Sequence, residues 1–495
     1  MIRLCDLLDG LETLSISGNA QTQISGICYD SRKAGPGSLF VCIKGYVTDG
    51  HKFISQAVEA GAAAVMIQDG SAVRDDGIVY IKVPDTRIGL AHVSASFFGY
   101  PSKNISMIGI TGTKGKTTTA FMIDSILAAA GTENALIGTI LTKIGKKEYT
   151  SARTTPESYD LQEIFSKCVE SNVRSCVMEV SSQGLKLNRV YGLRFETGVF
   201  TNLYNDHIGP AEHEDMNDYV SSKAMLFGMC DNAVVNIDDA YSGVMLDKLS
   251  GYPGVRIFTV GIENEADITA ADITKVSEVD KIGTSFTLKS PWYEGKIFVS
   301  LPGVFNVYNA LCAIAVAGVR GIDQAAVRAG LAGSFVKGRV QPVRTGRDFQ
   351  VIIDYAHNAA SLESLLETMR EYTAGKLVCV FGCGGNRARS RRFEMGEVSG
   401  RSADMTVITS DNPRSEPPES IIADIETGIK KTEGRYIRIT DRTDAIRWAL
   451  NKAGTGDVIV IAGKGHETYQ EFADRTIHYD DHEIASMIIS EMDQL

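Results

Sequence analysis

One short segment, residues 108–119 with the sequence IGITGTKGKTTT, constrains the fold of this chain more than any other. It follows an apolar run of strand type and precedes a helical pattern. A strand, a glycine-rich turn, a Lys-Thr pair and a helix in this order indicate a loop that holds a polyphosphate. Gly112 and Gly115 let backbone N–H groups turn inward, and Lys116 adds a positive charge.

The strict phosphate-loop pattern has a glycine where this chain has Ile110, but the shorter T-G-T-x-G-K-T pattern remains. We therefore predict that the loop binds ATP or a close relative. The Thr117 hydroxyl is suited to binding Mg²⁺. The residues predicted to hold the nucleotide phosphates are Gly112, Thr113, Lys114, Gly115, Lys116, Thr117 and Thr118.

Length and composition narrow the class of protein. A chain of 495 residues is too long for one hydrophobic core and predicts about three domains. The net charge of −11 argues against a nucleic-acid partner, whose phosphates need a basic surface. The sequence has no apolar run of membrane-spanning length, no secretory signal and no C-x-x-C pair among its nine cysteines. We expect a monomeric cytoplasmic protein that is not inserted in a membrane.

The pattern of strands and helices predicts the α/β class with three domains, at 1–101, 102–334 and 335–495. Apolar runs alternate with helical patterns in the central domain, which predicts a mostly parallel sheet. A strand-rich stretch at 256–301 predicts an appended antiparallel sheet, and Tyr100–Lys103 predicts a linker. The C-terminal pattern predicts a Rossmann-like, doubly wound sheet with ligands at the carboxyl ends of its strands.

Four further residues of the central domain are candidates for a functional role. Glu179 ends an apolar run, so its carboxylate lies where a second Mg²⁺ ligand is usually supplied. His207 and His213 lie in a polar stretch without the cysteine or carboxylate spacing of a zinc site. Lys223 lies on an amphipathic helix, and its position alone predicts an ordinary solvated lysine.

Taken in order, the motifs resemble those of the Mur ligase family of peptidoglycan synthesis, and the resemblance extends over all three domains. These ATP-dependent enzymes join an amino acid to a UDP-N-acetylmuramoyl peptide. The matching motifs are TGTKGKT at 111–117, EVSS at 179–182, TNLxxDH at 201–207, LPGxFNxxNA at 301–310, GR at 338–339 and DYAH at 354–357.

Within the family, further motifs are similar to those of the MurE type, which adds the third residue of the peptide. They are DSR at 30–32, TTPE at 154–157, GCGG at 382–385, DNPR at 411–414 and GKGHE at 463–467. The resemblance implies a ligase that adds meso-diaminopimelate to UDP-N-acetylmuramoyl-L-alanyl-D-glutamate. ATP activates the carboxylate as an acyl phosphate, an amine attacks it, and ADP and phosphate are released.

The resemblance also assigns roles to individual residues. Its catalytic set is Lys116, Glu179, His207, Lys223 and Arg339. Thr117 and Glu179 would bind one Mg²⁺, and Glu179, His207 and a carbamylated Lys223 would bind a second. A cationic lysine cannot bind Mg²⁺, whereas its carbamate is a hard oxygen ligand.

The remaining substrate contacts follow in the same way. Towards the nucleotide, Asn306 and Asn309 approach the adenine, Asp354 the ribose, and His357 the region near the domain joint. Arg339 reaches a phosphate. The UDP substrate is held at its uridine end by Ser31, Tyr46, Val47 and Thr48, and at its diphosphate and muramoyl end by Thr154, Thr155, Ser181 and Arg189.

The choice of amino acid depends on the C-terminal domain. Arg414 follows a rigid Asn-Pro turn, and a guanidinium suits the distal carboxylate of diaminopimelate better than the ammonium of lysine. Glu467 could accept a hydrogen bond from the far ammonium. The predicted amino-acid site consists of Arg387, Asp411, Asn412, Pro413, Arg414, Gly463 and Glu467. Most of the cluster Arg387, Arg389, Arg391 and Arg392 is expected to be a solvated helix start.

Three alternatives stay open at this point. The nearest is the same ligase adding L-lysine. A sister ligase adding alanine, glutamate or a dipeptide, or a folylpolyglutamate synthase, shares the phosphate loop, but the DNPR and GKGHE segments argue against both. The third is a P-loop switch or motor, which would hydrolyse ATP without needing an amino acid.

Overall fold

The computed structural model describes residues 1–46, 48–73, 77–206, 208–209 and 212–493. These residues form two compact units. The first comprises Met1–Ile268 and Leu311–Asp323, and the second comprises Thr269–Ala310 and the chain from Gln324 onward. The finer division at 1–101, 102–334 and 335–495 stays a prediction.

The first unit begins with a small α/β region. Its strands are β1 Ile2–Arg3, β2 Ser15–Ser17, β3 Gln23–Ile24, β4 Gly26–Cys28, β5 Ser38–Val41, β6 Ala64–Ile67 and β7 Val79–Lys82, and its helices are α1 Leu4–Leu7, α2 Ile54–Glu59 and α3 Thr86–Phe97. Five strands form a sheet in the order β2-β7-β6-β5-β4, in which only β2 is antiparallel to its neighbour. Apolar side chains cover both faces of this sheet, as is usual for parallel sheets.

The predicted linker is instead a short structured element. Pro101–Asn104 forms a 3₁₀ helix that packs against the helix α5, Ser158–Glu170, and Pro101 is buried. Tyr100 precedes it with a left-handed φ of 55°. The ring of Pro101 fixes φ near the helical value, so this residue begins a helical turn as readily as it interrupts a strand.

A larger sheet follows in the same unit. Its strands are β8 Ser106–Thr111, β9 Ala135–Ile137, β10 Leu141–Ile144, β11 Lys147–Thr150, β12 Ser175–Glu179, β13 Phe195–Phe200, β14 Cys230–Asn236 and β15 Arg256–Gly261. Their order is β11-β10-β9-β12-β8-β13-β14-β15, and among these strands only the pairs β9–β10 and β10–β11 are antiparallel. The predicted mostly parallel sheet is confirmed. The helices of this region are α4 Lys116–Ala129, α5, α6 Ser182–Lys186, α7 Met216–Ala224 and α8 Ser242–Ser250.

The antiparallel addition begins later than predicted. β15 pairs in parallel with β14 and therefore continues the parallel part of the central sheet. The antiparallel strands are β16 Ile268–Glu278, β17 Lys281–Lys289 and β18 Glu294–Val299. The helices α9 Val304–Val319 and α10 Gln324–Gly333 follow them.

The rest of the second unit is doubly wound, as predicted. Its main sheet contains β19 Gln341–Val343, β20 Gln350–Asp354, β21 Leu377–Phe381, β22 Met405–Ile408, β23 Tyr436–Arg438 and β24 Val458–Ala462, in the order β19-β20-β24-β21-β22-β23. Only β19 is antiparallel. The helices α11 Ala359–Arg370, α12 Ser390–Ser402 and α13 Pro418–Ile429 cover one face, and α14 Arg442–Lys452 and α15 Asp481–Met492 cover the other. A hairpin of β25 Tyr469–Glu471 and β26 Thr476–His478 completes the unit.

Within the described part of the chain, no helix is both long enough and apolar enough to cross a bilayer.

Candidate active site

The predicted phosphate loop connects β8 to α4. Gly115 is the N-cap of α4, with a left-handed φ of 83°, and Gly112 has φ of 150°. A Cβ at Gly112 would collide with the Thr201 hydroxyl, so no larger residue fits there. The loop therefore needs both glycines, and its N–H groups lie at the beginning of a helix, where anions bind.

The end of the neighbouring strand holds the loop in place. The Lys114 N–H donates to Asn202 Oδ1 at 2.8 Å, and the Thr201 hydroxyl donates to the Lys114 carbonyl at 2.7 Å. The Thr113 N–H donates to the Asn202 carbonyl at 2.9 Å. The TNL motif thus has a clear structural task, which is to fix the path of the loop.

Two lysines converge on one carbonyl oxygen of this loop. Lys116 Nζ and Lys223 Nζ each donate to Gly112 O at 2.8 Å. Burial lowers the pKa of both, and the neighbouring Lys116 charge helps to hold the pKa of Lys223 well below its ordinary value. The expectation that Lys223 is a solvated helix residue is wrong, because it is only 1% exposed.

Glu179 lies beside the first turn of α4. Its two carboxylate oxygens each accept from the Thr117 hydroxyl at 3.0 Å, and they also accept from the N–H and hydroxyl of Thr139. The carboxylate is buried, and hydroxyl and carboxylate oxygens are the donors that Mg²⁺ prefers. These residues fit a first Mg²⁺. His207 lies outside the described residues, so the predicted second set is described only at Glu179 and Lys223.

A cavity of about 310 Å³ lies next to the loop. Its walls include Lys116 and Lys223 together with the four residues predicted to hold the diphosphate and muramoyl end: Thr154, Thr155, Ser181 and Arg189. The Thr155 hydroxyl lies 3.0 Å from the Glu179 carbonyl and accepts from the Ser181 N–H, also at 3.0 Å. The phosphate loop and the predicted substrate residues therefore share one cavity.

The buried carboxylate of Glu157 holds the basic residues of this region. It pairs with Arg189 at 3.0 Å, with Arg153 at 3.1 Å and with Arg87 at 3.4 Å. One carboxylate cannot neutralise three guanidinium groups, so this cluster keeps a net positive charge, which suits a diphosphate. Burial lowers the pKa of Arg189, although Glu157 counteracts the effect.

A second cavity, of about 550 Å³, lies in the N-terminal region and shares Arg153 with the first, while Glu157 lines only the second. Ser31 and Thr48 line it, and the Ser31 hydroxyl donates to Gln56 Oε1 at 2.9 Å. Tyr46 is half exposed, and its hydroxyl lies 3.4 Å from the Glu212 carbonyl. Val47 lies outside the described residues.

The predicted nucleotide residues of the second unit are mostly buried. The Asn306 amide donates to Pro302 O at 2.7 Å, and the Asn309 amide donates to Asn306 Oδ1 at 3.0 Å. Asp354 accepts from the backbone N–H groups of Val340 and Ala356, each at 2.8 Å, and burial raises its pKa. His357 is exposed, and its Nδ1 lies 2.9 Å from the Tyr355 carbonyl.

Arg339 lies on a strained turn. Its guanidinium lies 5.2 Å from the centre of the Tyr355 ring, and the following residue, Val340, has a left-handed φ of 42°. A β-branched residue adopts that conformation only at a cost. The hydrogen bond from Val340 to Asp354 holds the turn, so the exposed Arg339 is presented from a fixed backbone.

The loops at the carboxyl ends of β22 and β24 meet around one buried lysine. Lys464, which is fully buried, donates to Asn412 Oδ1 at 3.0 Å and lies 3.3 Å from Asp411 Oδ1. The Asn412 amide donates to Glu467 Oε2 at 2.8 Å. Burial and the nearby Asp411 raise the pKa of Glu467. Gly463 leaves room for Asp411, because a Cβ there would lie 2.8 Å from Asp411 Oδ2.

Arg414 is held by two acceptors. Its Nε donates to Glu471 Oε2 at 2.9 Å and its Nη1 to Gly385 O at 2.8 Å. It has a left-handed φ of 52°, and the preceding Pro413 packs so closely on Gly385 that a Cβ there would collide with its carbonyl. A Cβ at Gly384 would lie 3.1 Å from Arg414 Nη1 and 3.8 Å from Arg387 Cγ, so the two arginines flank the same glycine.

Sequence comparisons agree across the whole chain. The Mur ligase family, catalytic domain, matches residues 23–97, the Mur ligase middle domain matches 110–317, and the Mur ligase, glutamate ligase domain, matches 338–465. A UDP-N-acetylmuramoyl-L-alanyl-D-glutamate--2,6-diaminopimelate ligase of Caldanaerobacter subterraneus subsp. tengcongensis is 44% identical over 494 residues, covering 100% of both chains. The chain belongs to the Mur ligase family.

Two further relatives are similar over almost the full length. The ligase of the same name from Clostridioides difficile is 41% identical, over 99% of this chain and 100% of its own. A solved structure of a ligase of this name superposes with a TM-score of 0.74 at 29% identity, covering 99% of both chains. The three-domain Mur ligase fold is therefore confirmed, and the chain is a ligase.

Most of the predicted basic cluster at the beginning of α12 is solvated, as expected from the sequence. Arg387 and Arg389 are exposed and Arg391 is partly so. Arg392 is the exception, because it is buried and pairs with Asp424 at 3.0 Å and with Glu416 at 2.8 Å. It fastens α12 to α13 and to the turn before it.

The sequence did not single out three residues that organise these sites: Glu157, Lys464 and Glu471. Glu157 lies in the TTPE motif and Lys464 in the GKGHE motif. The position of a charged residue inside each motif was a signal from which a buried ion pair could have been predicted. Glu471 gave no such signal, because a single acidic residue in a short strand usually faces solvent.

Proposed function

We propose that this Mur ligase adds meso-diaminopimelate to UDP-N-acetylmuramoyl-L-alanyl-D-glutamate in the cytoplasm, as a monomer, with release of ADP and phosphate. The observation that carries the proposal is the cavity of about 310 Å³ lined by both Lys116 and Arg189. A nucleotide phosphate at the loop and an anionic sugar peptide held by the arginines would meet there. The names of the relatives over the full chain support the choice of substrates.

Amide formation requires the carboxylate of the UDP substrate to be activated, because a carboxylate is a poor electrophile. A carboxylate resists attack by an amine, so its oxygen must first take the γ-phosphate of ATP. Lys116 and the N–H groups at the beginning of α4 bind and orient the phosphates, since phosphoryl transfer depends on positioning and charge neutralisation. Mg²⁺ bound at Thr117 and Glu179 would supply further charge neutralisation.

We propose that Lys223 acts as a carbamate. Its buried amine and strongly lowered pKa favour the neutral form that reacts with CO₂. A carbamate would place a negative charge beside Lys116 and would add a hard oxygen ligand beside the loop. Glu179 and His207 complete the proposed second Mg²⁺ set.

The nucleotide and the UDP substrate are assigned to the residues predicted for them. Asn306 and Asn309 would approach the adenine, Asp354 the ribose and His357 the nucleotide near the domain joint, while Arg339 would contact a phosphate. Ser31, Tyr46, Val47 and Thr48 hold the uridine. The two asparagines and Asp354 support this role by being buried in a fixed arrangement.

Arg414 and the network around Lys464 select the amino acid. The distal carboxylate of diaminopimelate would approach Arg414 and Arg387, which flank Gly384. Asp411, Asn412 and Glu467 would accept from its ammonium groups, and Pro413 and Gly463 shape the loops. A second candidate is the same ligase with L-lysine, because Glu471 already pairs with Arg414 and could accept a lysine ammonium instead.

If an acyl phosphate forms, an oxygen atom of the substrate carboxylate must end up in the released phosphate, and this transfer can be measured. A UDP-dipeptide labelled with oxygen-18 in its terminal carboxylate should release phosphate that carries one labelled oxygen when ATP and meso-diaminopimelate are present. Unlabelled phosphate alongside amide product would contradict the acyl phosphate. ATP hydrolysis without either substrate would contradict the ligase and favour a P-loop switch.

A further inference from the structure

Three residues of the first unit form a chain of hydrogen bonds that ends at the candidate active site. Ser182 Oγ lies 2.8 Å from His213 Nε2, and His213 Nδ1 lies 3.1 Å from Asp218 Oδ2. Ser182 lines the cavity of about 310 Å³ together with Lys116 and Lys223. His213, by contrast, is fully buried behind it.

The surroundings fix the direction of these hydrogen bonds. Burial opposes ionisation of Asp218, but bonds from Lys186 at 2.6 Å and from the Glu214 N–H at 3.1 Å outweigh it and lower its pKa to about 2. An ionised carboxylate can only accept, so Nδ1 of His213 must carry a proton. Burial also lowers the pKa of His213, which makes the ring neutral at pH 7 and leaves Nε2 as an acceptor.

The Ser182 hydroxyl therefore donates a hydrogen bond to His213 Nε2, and its oxygen lone pairs stay available to a group in the cavity. The other groups near the ring are Lys186 beyond Asp218, the Lys223 charge and the Tyr219 ring, 5.0 Å away. A proton arriving on Nε2 would be stabilised by the Asp218 carboxylate, in the manner of other histidine-carboxylate pairs.

We propose that Ser182, His213 and Asp218 form a proton relay that deprotonates the amino group of the incoming amino acid. This proposal rests on the proposed function, since it needs an ammonium that must become a nucleophile. Ser182 touches the ammonium and passes the proton on, His213 accepts it, and Asp218 orients the ring and stabilises the imidazolium.

The transfer balances in three movements. The ammonium gives one proton to Ser182 Oγ as the Ser182 hydroxyl proton moves to His213 Nε2. The freed nitrogen electron pair forms the C–N bond at the acyl carbon. The C–O bond to phosphate breaks, the phosphate leaves with the electron pair of that C–O bond, and it takes the second amine proton.

The test compares two nucleophiles in the same protein. Hydroxylamine is already neutral at pH 7 and traps the acyl phosphate as a hydroxamate without needing the relay. His213→Gln keeps hydrogen-bonding atoms at this place but cannot accept a proton, and Ser182→Ala disconnects the ring from the cavity. Both should lower kcat with meso-diaminopimelate on the order of a hundredfold while hydroxamate formation stays within about twofold.

The pH dependence of the rate with diaminopimelate is a second test of the relay. The relay variants should recover part of their rate with diaminopimelate as the pH rises, because more of the amine is then free. Ser222→Ala is the matched control: its hydroxyl donates to Asp218 Oδ1 at 3.3 Å but lies outside the relay, so both reactions should be unchanged. Equal loss of both reactions in the His213 and Ser182 variants would overturn the relay and indicate a structural role. An inactive wild-type enzyme would instead contradict the proposed function.

Discussion

The buried amine of Lys223 donates a hydrogen bond of 2.8 Å to the carbonyl oxygen of Gly112, in the centre of the phosphate loop. A lysine in this position is unlike an ordinary helix-surface lysine, because its charge is removed from solvent and lies near a second lysine. The arrangement favours chemistry that removes the positive charge, and this makes the residue the most informative target for mutation.

We expect Lys223→Ala to be nearly inactive because the loop loses the group proposed to organise a metal ion. A short carboxylic acid in the buffer should restore part of the activity by occupying the place of the carbamate. Steady-state rates with and without the acid measure this. The same acid should not rescue Lys116→Ala, and wild-type rates in Lys223→Ala without acid would refute the role.

We expect Lys116→Ala to lose ADP formation by a factor on the order of a hundred or more, because one charge contact to the transferred phosphate is removed. The side chain folds back on Gly112 O and Thr113 O at 2.8 and 3.0 Å, so some loop order is lost with it. Lys167→Ala, in an exposed helix pair, is the control for general charge effects. Near-normal turnover in folded Lys116→Ala would remove the phosphate loop from the mechanism.

Much of the fold could be predicted from the sequence, because buried parallel strands give apolar runs that stand out. β20 and β24 begin and end where their apolar runs do. Pro101 was misread, since proline both interrupts strands and begins helical turns. β15 was predicted to be antiparallel but is parallel to β14, because an apolar run carries no information about the direction of its neighbour.

The candidate site was predictable where a motif has its own chemistry, as at Gly112, Gly115 and Thr117. It was not predictable where a role depends on tertiary burial. Nothing in the helical pattern around Lys223 distinguishes a buried lysine from a solvated one, and only the resemblance singled it out. Glu471 meets Arg414 from a hairpin 57 residues away, a pairing that no local pattern records.

The buried Lys464 should control binding of the amino acid. Lys464→Met keeps the volume but removes the charge-assisted bonds to Asp411 and Asn412, each worth roughly 1.5–3 kcal/mol. We expect KM for the amino acid to rise about tenfold to a hundredfold, while oxygen-18 transfer into phosphate with hydroxylamine as acceptor stays normal. Lys452→Met, an exposed residue of the same domain, should change neither quantity. An unchanged KM would show that the network does not position the substrate.

Arg414 should determine the preference for a distal carboxylate. Arg414→Ala should lose a factor of about ten to more than a hundred in the ratio of kcat/KM for meso-diaminopimelate over L-lysine, mainly through weaker use of diaminopimelate. Glu471→Gln should raise that ratio, because Arg414 loses its competing carboxylate. KM for ATP should stay the same in both. If neither substitution changes the ratio of the two kcat/KM values, Arg414 does not bind the distal carboxylate of the amino acid.

The central claim is that this chain couples ATP cleavage to one particular amide bond. Phosphate release should therefore be measured with the UDP-muramoyl dipeptide and a panel of amino acids: meso-diaminopimelate, L-lysine, L-alanine, D-glutamate and none. The account predicts rapid release with meso-diaminopimelate, much slower release with L-lysine and almost none otherwise. Equal rates with L-lysine would contradict the specificity, and release that is independent of any amino acid would contradict the ligase itself.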